Sequence, residues 1–179
     1  MKIPVFSISK LDRVEISLGP EMKSTGEVLG VGETLEEALF KGLLASVIRV
    51  NDGEIKVLAT INYKDKSEFI KIAKIMINEN YKIFATSETR NLLVRKNIKS
   101  EKVKKVHEKG EKILDLIRNK EIDLVINTPT KGSDKQRDGF LIRRNTVEYG
   151  IYIITSLYTL KAIIKIKQSH IKGKKSRNI

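Results

Sequence analysis

From Glu54 onward, short apolar runs alternate with amphipathic helical stretches, and this alternation is what most limits the folds open to the chain. Strand–helix units repeated in this way build a parallel sheet whose two faces are both covered by helices. Lys56–Ile61, Tyr81–Ala85, Asp123–Asn127 and Ile151–Ile154 read as strands. Asp65 is placed to cap a helix, with Glu68 in its first turn and Phe69, Ile72, Ala73 and Met76 as its apolar stripe. Thr86-Ser87-Glu88-Thr89 opens a second helix, and Lys112–Arg118 forms a third. Leu141–Glu148 forms a fourth, ended by Gly150, and Leu157–Ile166 is the closing helix. The expected fold class is α/β, a Rossmann-like parallel sheet in three layers. The stretch from Lys99 to Lys112 mixes lysines with Glu101, Glu108 and Glu111 and reads as solvated surface.

The residues before this pattern differ in texture. They hold Pro4 and Pro20 and show no clear strand–helix alternation. One helix is legible around Glu33–Lys41: Thr34 is its N-cap, Glu37 its capping-box partner, and Leu35, Ala38, Leu39 and Leu43 face one side. Asn51-Asp52-Gly53 is a turn signal and marks a boundary. A short, mostly irregular and helical extension is therefore expected over 1–50 and a domain over 54–166. A basic, disordered tail is expected over 167–179.

Composition removes several function classes. The 179 residues include no cysteine and two histidines, His107 and His170, so thiolate chemistry and a multi-histidine metal site are excluded. Met1–Val5 lacks the apolar stretch of about 7–15 residues that a signal peptide carries. No apolar run approaches the roughly 18–20 residues of a membrane span. A soluble cytoplasmic protein without membrane contact is expected. The net charge of +13 is concentrated in part at the end, where Lys165, Lys167, Lys172, Lys174, Lys175 and Arg177 have no acid among them. Aromatic residues do not interleave with the basic ones, so no stacking platform for nucleic acid is expected. A partner carrying phosphate suits the charge better.

In parallel sheets of this kind, ligands bind beyond the carboxyl ends of the strands. Three of the segments there suit an anion: Asp65-Lys66, Thr86-Ser87-Glu88-Thr89 at a helix N-terminus, and Asn127-Thr128-Pro129-Thr130-Lys131-Gly132. Each taken alone also serves as a cap or a turn. Their convergence on one edge is what points to a ligand. No Gly-x-x-x-x-Gly-Lys or Gly-x-Gly-x-x-Gly loop occurs, so triphosphate and dinucleotide loops are excluded.

Leu18-Gly19-Pro20-Glu21-Met22-Lys23-Ser24-Thr25-Gly26-Glu27-Val28-Leu29-Gly30 resembles the segment closing the second ATP-grasp half of carbamoyl phosphate synthetase large chains. Asp123–Gly132, Arg137-Asp138-Gly139 and Ile142-Arg143-Arg144 resemble the regulatory domain that follows it, which has the methylglyoxal-synthase-like fold. The resemblance runs in order from about residue 3 to 165. It implies a tail of the carbamoyl phosphate synthetic half over 1–50 and the regulatory domain over 54–166. That domain would bind a nucleoside monophosphate effector, uridine monophosphate ahead of inosine monophosphate. Lys66, Thr86, Thr89 and Lys105 would hold the phosphate, with Asn127, Thr128 and Thr130 on the base and ribose side. Thr60 matches a small hydroxyl residue of the same pocket.

The resemblance implies no catalytic residue, metal or cofactor in this chain, because the ATP-holding residues lie upstream in the family. Its partners would be the catalytic remainder of the large chain and, through it, the glutaminase small chain, in pyrimidine and arginine biosynthesis. A homo-oligomer is compatible with this. Three departures stand out: Glu88 where a glycine is usual, Glu108-Lys109-Gly110-Glu111 for Glu-Gly-Arg-Pro, and Ile153-Ile154 with only Thr155 left of an ornithine-contacting pattern. The rival reading is a methylglyoxal-synthase-type lyase acting on dihydroxyacetone phosphate. It needs a carboxylate base in the loop that here offers only Glu108 and Glu111, and it has no use for residues 1–50.

Overall fold

A computed structural model describes residues 2–5, 26–45, 53–106, 108, 112–129 and 138–176. Its centre is a five-stranded sheet made of β3 (Ile55–Thr60), β4 (Tyr81–Thr86), β5 (Glu101–Val103), β6 (Leu124–Asn127) and β7 (Tyr152–Ile154). All pairs are parallel, in the order β5-β4-β3-β6-β7. The expected α/β class is observed.

Helices cover both faces because the strands are apolar on both. On one side, Val57, Ala59, Ile83 and Ile126 pack against Phe69, Ile72 and Met76 of α2 (Lys66–Asn78) and Leu93 of α3 (Ser87–Arg95). Leu157, Leu160 and Ile164 of α6 (Leu157–Ser176) complete that layer. On the other side, Leu58, Val103 and Val125 meet Ile113, Leu116 and Ile117 of α4 (Ile113–Arg118) and Ile142 of α5 (Asp138–Glu148). Leu58 and its neighbours Val57 and Ala59 point to opposite faces and are fully buried, as a central strand requires.

Four helices hand over to the next strand through one device. Asn80, Asn97, Lys120 and Gly150 follow α2, α3, α4 and α5 in the left-handed conformation, at φ 62°, 57°, 55° and 69°. After α4, the Lys120 N–H donates to Ile117 O (3.1 Å) and the Glu121 N–H to Leu116 O (3.0 Å), which turns the chain into β6. The same pair of bonds recurs after α3 and α5, from Asn97 and Ile98 and from Gly150 and Ile151.

In the N-terminal part, β1 (Lys2–Val5) and β2 (Gly26–Leu29) pair antiparallel, with Lys2 and Glu27 in an ion pair at 3.1 Å. The expectation of an irregular and helical extension missed this pair, because strands so far apart in sequence leave no hairpin signal. The expected helix is present as α1 (Leu35–Ala45). Thr34 Oγ1 accepts the Glu37 N–H at 3.2 Å, while the Glu37 carboxylate reaches back to the Glu33 N–H at 3.0 Å. Leu35, expected on the apolar face, is 69% exposed at the helix start, whereas Ala38 is buried. At Gly30 a Cβ would lie 1.9 Å from Ala38 O, so only glycine allows β2 to run this close to α1.

Three further expectations are corrected. β5 lies within the run read as solvated surface; it is a short edge strand with only Val103 buried, too brief for a hydropathy signal. Asp65 precedes α2 but makes no side-chain cap bond, since a 3-10 turn over Tyr63–Asp65 leads into the helix. The tail expected to be disordered from residue 167 continues α6 to Ser176. Lys167 is buried with its ammonium 4.6 Å from the centre of the Tyr81 ring, and Gln168 Nε2 donates to Glu79 Oε1 at 2.8 Å. These contacts carry the helix past Ile166. Residues 18–25 of the Leu18–Gly30 segment lie outside the described residues, as do 177–179.

Lys120 is the position where the left-handed turn is held without glycine or asparagine. Replacing it removes a Cβ penalty of about 1 kcal/mol. Lys120→Gly should raise the melting temperature by about 2–4 °C in a thermal scan. An unchanged or lower melting temperature would show that the turn is not strained.

Candidate functional site

The strand order reverses between β3 and β6, which open a crevice at their carboxyl ends. Two clusters of polar side chains lie along this edge. The first sits on the crevice itself. Thr60 and Asn127 are register partners, so both side chains leave the sheet at the same level. Asn127 Nδ2 donates to Thr60 Oγ1 at 2.6 Å, and Arg143 donates to Asn127 Oδ1 at 2.7 Å. The Asn62 N–H donates to Thr128 Oγ1 at 2.7 Å, and Asn62 Nδ2 donates to Pro129 O at 3.0 Å. These bonds tie the loop after β3 to the loop after β6. Asn127, Thr128 and Arg143 are all buried. Gly139 lies over the Asn127 amide, where a Cβ would come within 3.2 Å of the Arg143 guanidinium.

The second cluster is at the N-terminus of α3. Thr86 sits in extended conformation at the N-cap without a side-chain cap bond, and Thr89 is buried in the first turn. Lys66, the first residue of α2, reaches Glu88 Oε2 at 3.1 Å. Lys105, just after β5, lies 3.6 Å from Glu88 Oε1. The Lys104–Lys112 bridge pinches the base of the following loop and holds Lys105 at the sheet edge. The Lys66 side chain is 12% exposed beneath the Glu88 carboxylate, which is 68% exposed. The hydrogen bond and charge of Lys66, together with the charge of Lys105, hold the Glu88 carboxyl below its ordinary pKa.

The structure thus brings Lys66, Thr86, Thr89 and Lys105 to one cluster and Thr60, Asn127 and Thr128 to the other. Thr130, with Lys131 and Gly132, lies outside the described residues. Sequence reading missed Arg143 and Asn62 as members of the crevice network. No local signal marks Arg143: its burial beside Ile142 and Thr146 on α5 emerges only in the fold. Of the two carboxylates open to a lyase, Glu108 is used as acceptor for the Lys105 N–H at 3.2 Å, and Glu111 lies outside the described residues. Among the described residues, no helix is long and apolar enough to cross a membrane.

Comparison with known proteins places the sequence beside one group of relatives. Residues 68–155 match the MGS-like domain family, a stretch that runs from α2 to just past β7. The chain is 55% identical over 172 residues to the carbamoyl phosphate synthase large chain of Clostridium botulinum (strain Loch Maree / Type A3). It is 52% identical over 167 residues to that of Clostridium beijerinckii (strain ATCC 51743 / NCIMB 8052), and 48% over 168 residues to that of Clostridium perfringens (strain 13 / Type A). The matches cover 96%, 93% and 94% of this chain and 16% of each relative. The chain therefore carries an MGS-like domain and is a relative of carbamoyl phosphate synthase large chains, of whose length it spans about a sixth.

The crevice network makes a prediction of its own. Arg143→Met keeps the aliphatic stem but removes the donor facing the buried Asn127 carbonyl, a loss of about 1–3 kcal/mol. Urea denaturation should show a lower midpoint with an unchanged slope. Combining it with Asn127→Leu should cost less than the sum of the two single losses. Strict additivity would mean that the two side chains are not coupled.

Proposed function

We propose, from the MGS-like domain and its large-chain relatives, that this chain is an allosteric regulatory module binding a nucleoside monophosphate. Its phosphate lies among Lys66, Thr86, Thr89 and Lys105, at the N-terminus of α3, where backbone N–H groups and the helix dipole favour an anion. Thr60, Asn127, Thr128 and Thr130 are assigned to the ribose and base. Uridine monophosphate is the effector assigned, ahead of inosine monophosphate. The module works in the cytoplasm with the catalytic remainder of a large chain and, through it, a glutaminase small chain. The product it regulates is carbamoyl phosphate for pyrimidine and arginine biosynthesis.

One observation carries this reading. Lys66 and Lys105 come from different elements, on either side of α3, and converge on a single carboxylate at its first turn. Two cations focused on one point next to a helix N-terminus suit a phosphate better than a neutral ligand. The crevice cluster supplies hydroxyl and amide groups on the same edge, on the side where a nucleoside would extend.

Calorimetric titration with uridine monophosphate tests this. Lys66→Ala removes a charge-assisted contact of about 1.5–3 kcal/mol, so affinity should fall at least about tenfold. Unchanged affinity in that variant would move the phosphate away from α3 and overturn the assignment.

A further inference from the structure

The anion cradle between Lys66 and Lys105 already holds an anion, which is the protein's own. Each oxygen of the Glu88 carboxylate faces a different lysine, Oε2 toward Lys66 and Oε1 toward Lys105. The carboxylate projects from the first turn of α3, over the half-buried stem of Lys66. A dicoordinate carboxylate in this place presents two oxygens to the same two cations that a phosphate would use. We propose that Glu88 is an internal occupant of the cradle and that a phosphate ligand binds only after displacing it. The inference rests on the phosphate site assigned above and adds the residue that sets its affinity.

The physical case follows from tethering. Glu88 is linked to the lysines through the fold, so it competes at an effective concentration on the order of millimolar without losing translational freedom on each encounter. A free ligand must therefore outbid a resident. Release costs two ion pairs at a partly exposed surface, each worth little on its own. The clamp is thus weak enough to open and strong enough to reduce affinity. Because opening is a property of the protein, it should penalise every phosphate ligand by the same factor. A carboxylate that merely decorated the helix N-terminus would leave affinity unaffected when removed.

The experiment compares the full chain with Glu88→Gln, which keeps size and removes charge. Inorganic phosphate and uridine monophosphate are titrated into each by calorimetry at pH 8. The Glu88 carboxyl carbon is followed by NMR through a pH series, with and without saturating phosphate. Glu88→Gln should bind both ligands about tenfold more tightly, by the same factor. In the wild-type chain, phosphate should move the Glu88 carboxyl from its lowered pKa back to the ordinary carboxylate range. Equal affinity in the two proteins overturns the inference and leaves the phosphate site standing, as does a Glu88 carboxyl that stays lowered with phosphate bound. A gain for one ligand and not the other also overturns it, since the cost would then lie outside the clamp. Failure of both proteins to bind either ligand overturns the phosphate site itself, and this inference with it.

Discussion

Pairing of β3 with β6 is the contact on which the remaining structure depends. β3 also pairs with β4, so the chain leaves the central strand in opposite directions along the sheet and opens the crevice where it does so. The register is fixed at both ends. At the amino end, the Lys56 N–H donates to Asp123 Oδ2 at 2.8 Å, and the Asp123 N–H donates to Lys56 O at 2.9 Å. At the carboxyl end, Thr60 and Asn127 close the pairing through their side chains. A slip of one residue would send each side chain to the opposite face, exchanging Leu58 with its neighbours and separating Thr60 from Asn127. Core packing and site geometry are therefore set by one alignment.

Along the same edge, charge is handled differently in the two clusters. Among the described residues, the crevice network buries a cation, Arg143, which donates to Asn127. The α3 cluster leaves Glu88 and Lys105 near solvent, with Lys66 more covered, and the two lysines share Glu88. Buried pairs are costly to break, and exposed ones are cheap. The first arrangement suits a rigid floor and the second a part that exchanges partners. In a chain of net charge +13, the acid at Glu88 also spares the α3 terminus two uncompensated lysines.

Much of this was legible in the residues. β3, β4, β6 and the stripe of α2 are long or regular enough to declare themselves, and the polar groups after Thr60, Thr86 and Asn127 follow from the rule for parallel sheets. What escaped shares a physical cause. β5 is an edge strand with one buried residue, and β1–β2 pair across a long separation. α6 is prolonged by Lys167 and Gln168, which look like tail residues until Tyr81 and Glu79 are beside them. Arg143 reads as a surface charge until α5 is turned inward. In each case the deciding partner is distant in sequence, and local periodicity carries no trace of it. Glu88, Lys66 and Lys105 were all named from the sequence, but only the fold shows both lysines paired with the one carboxylate.

The left-handed turns show why the site can vary without the fold giving way. Asn80, Asn97, Lys120 and Gly150 all precede strands, so these tight returns gather at the amino edge of the sheet. The carboxyl edge carries the 3-10 turn at Tyr63–Asp65 and the polar groups at Thr86, Lys105 and Asn127. Stability and recognition are thereby placed at opposite ends of the same strands. A charged residue such as Glu88 is tolerated in the first turn because α3 is anchored elsewhere, by Leu93 in the core and by the turn at Asn97. Substitutions in the first turn of α3 therefore change what the cradle holds before they change whether the domain folds.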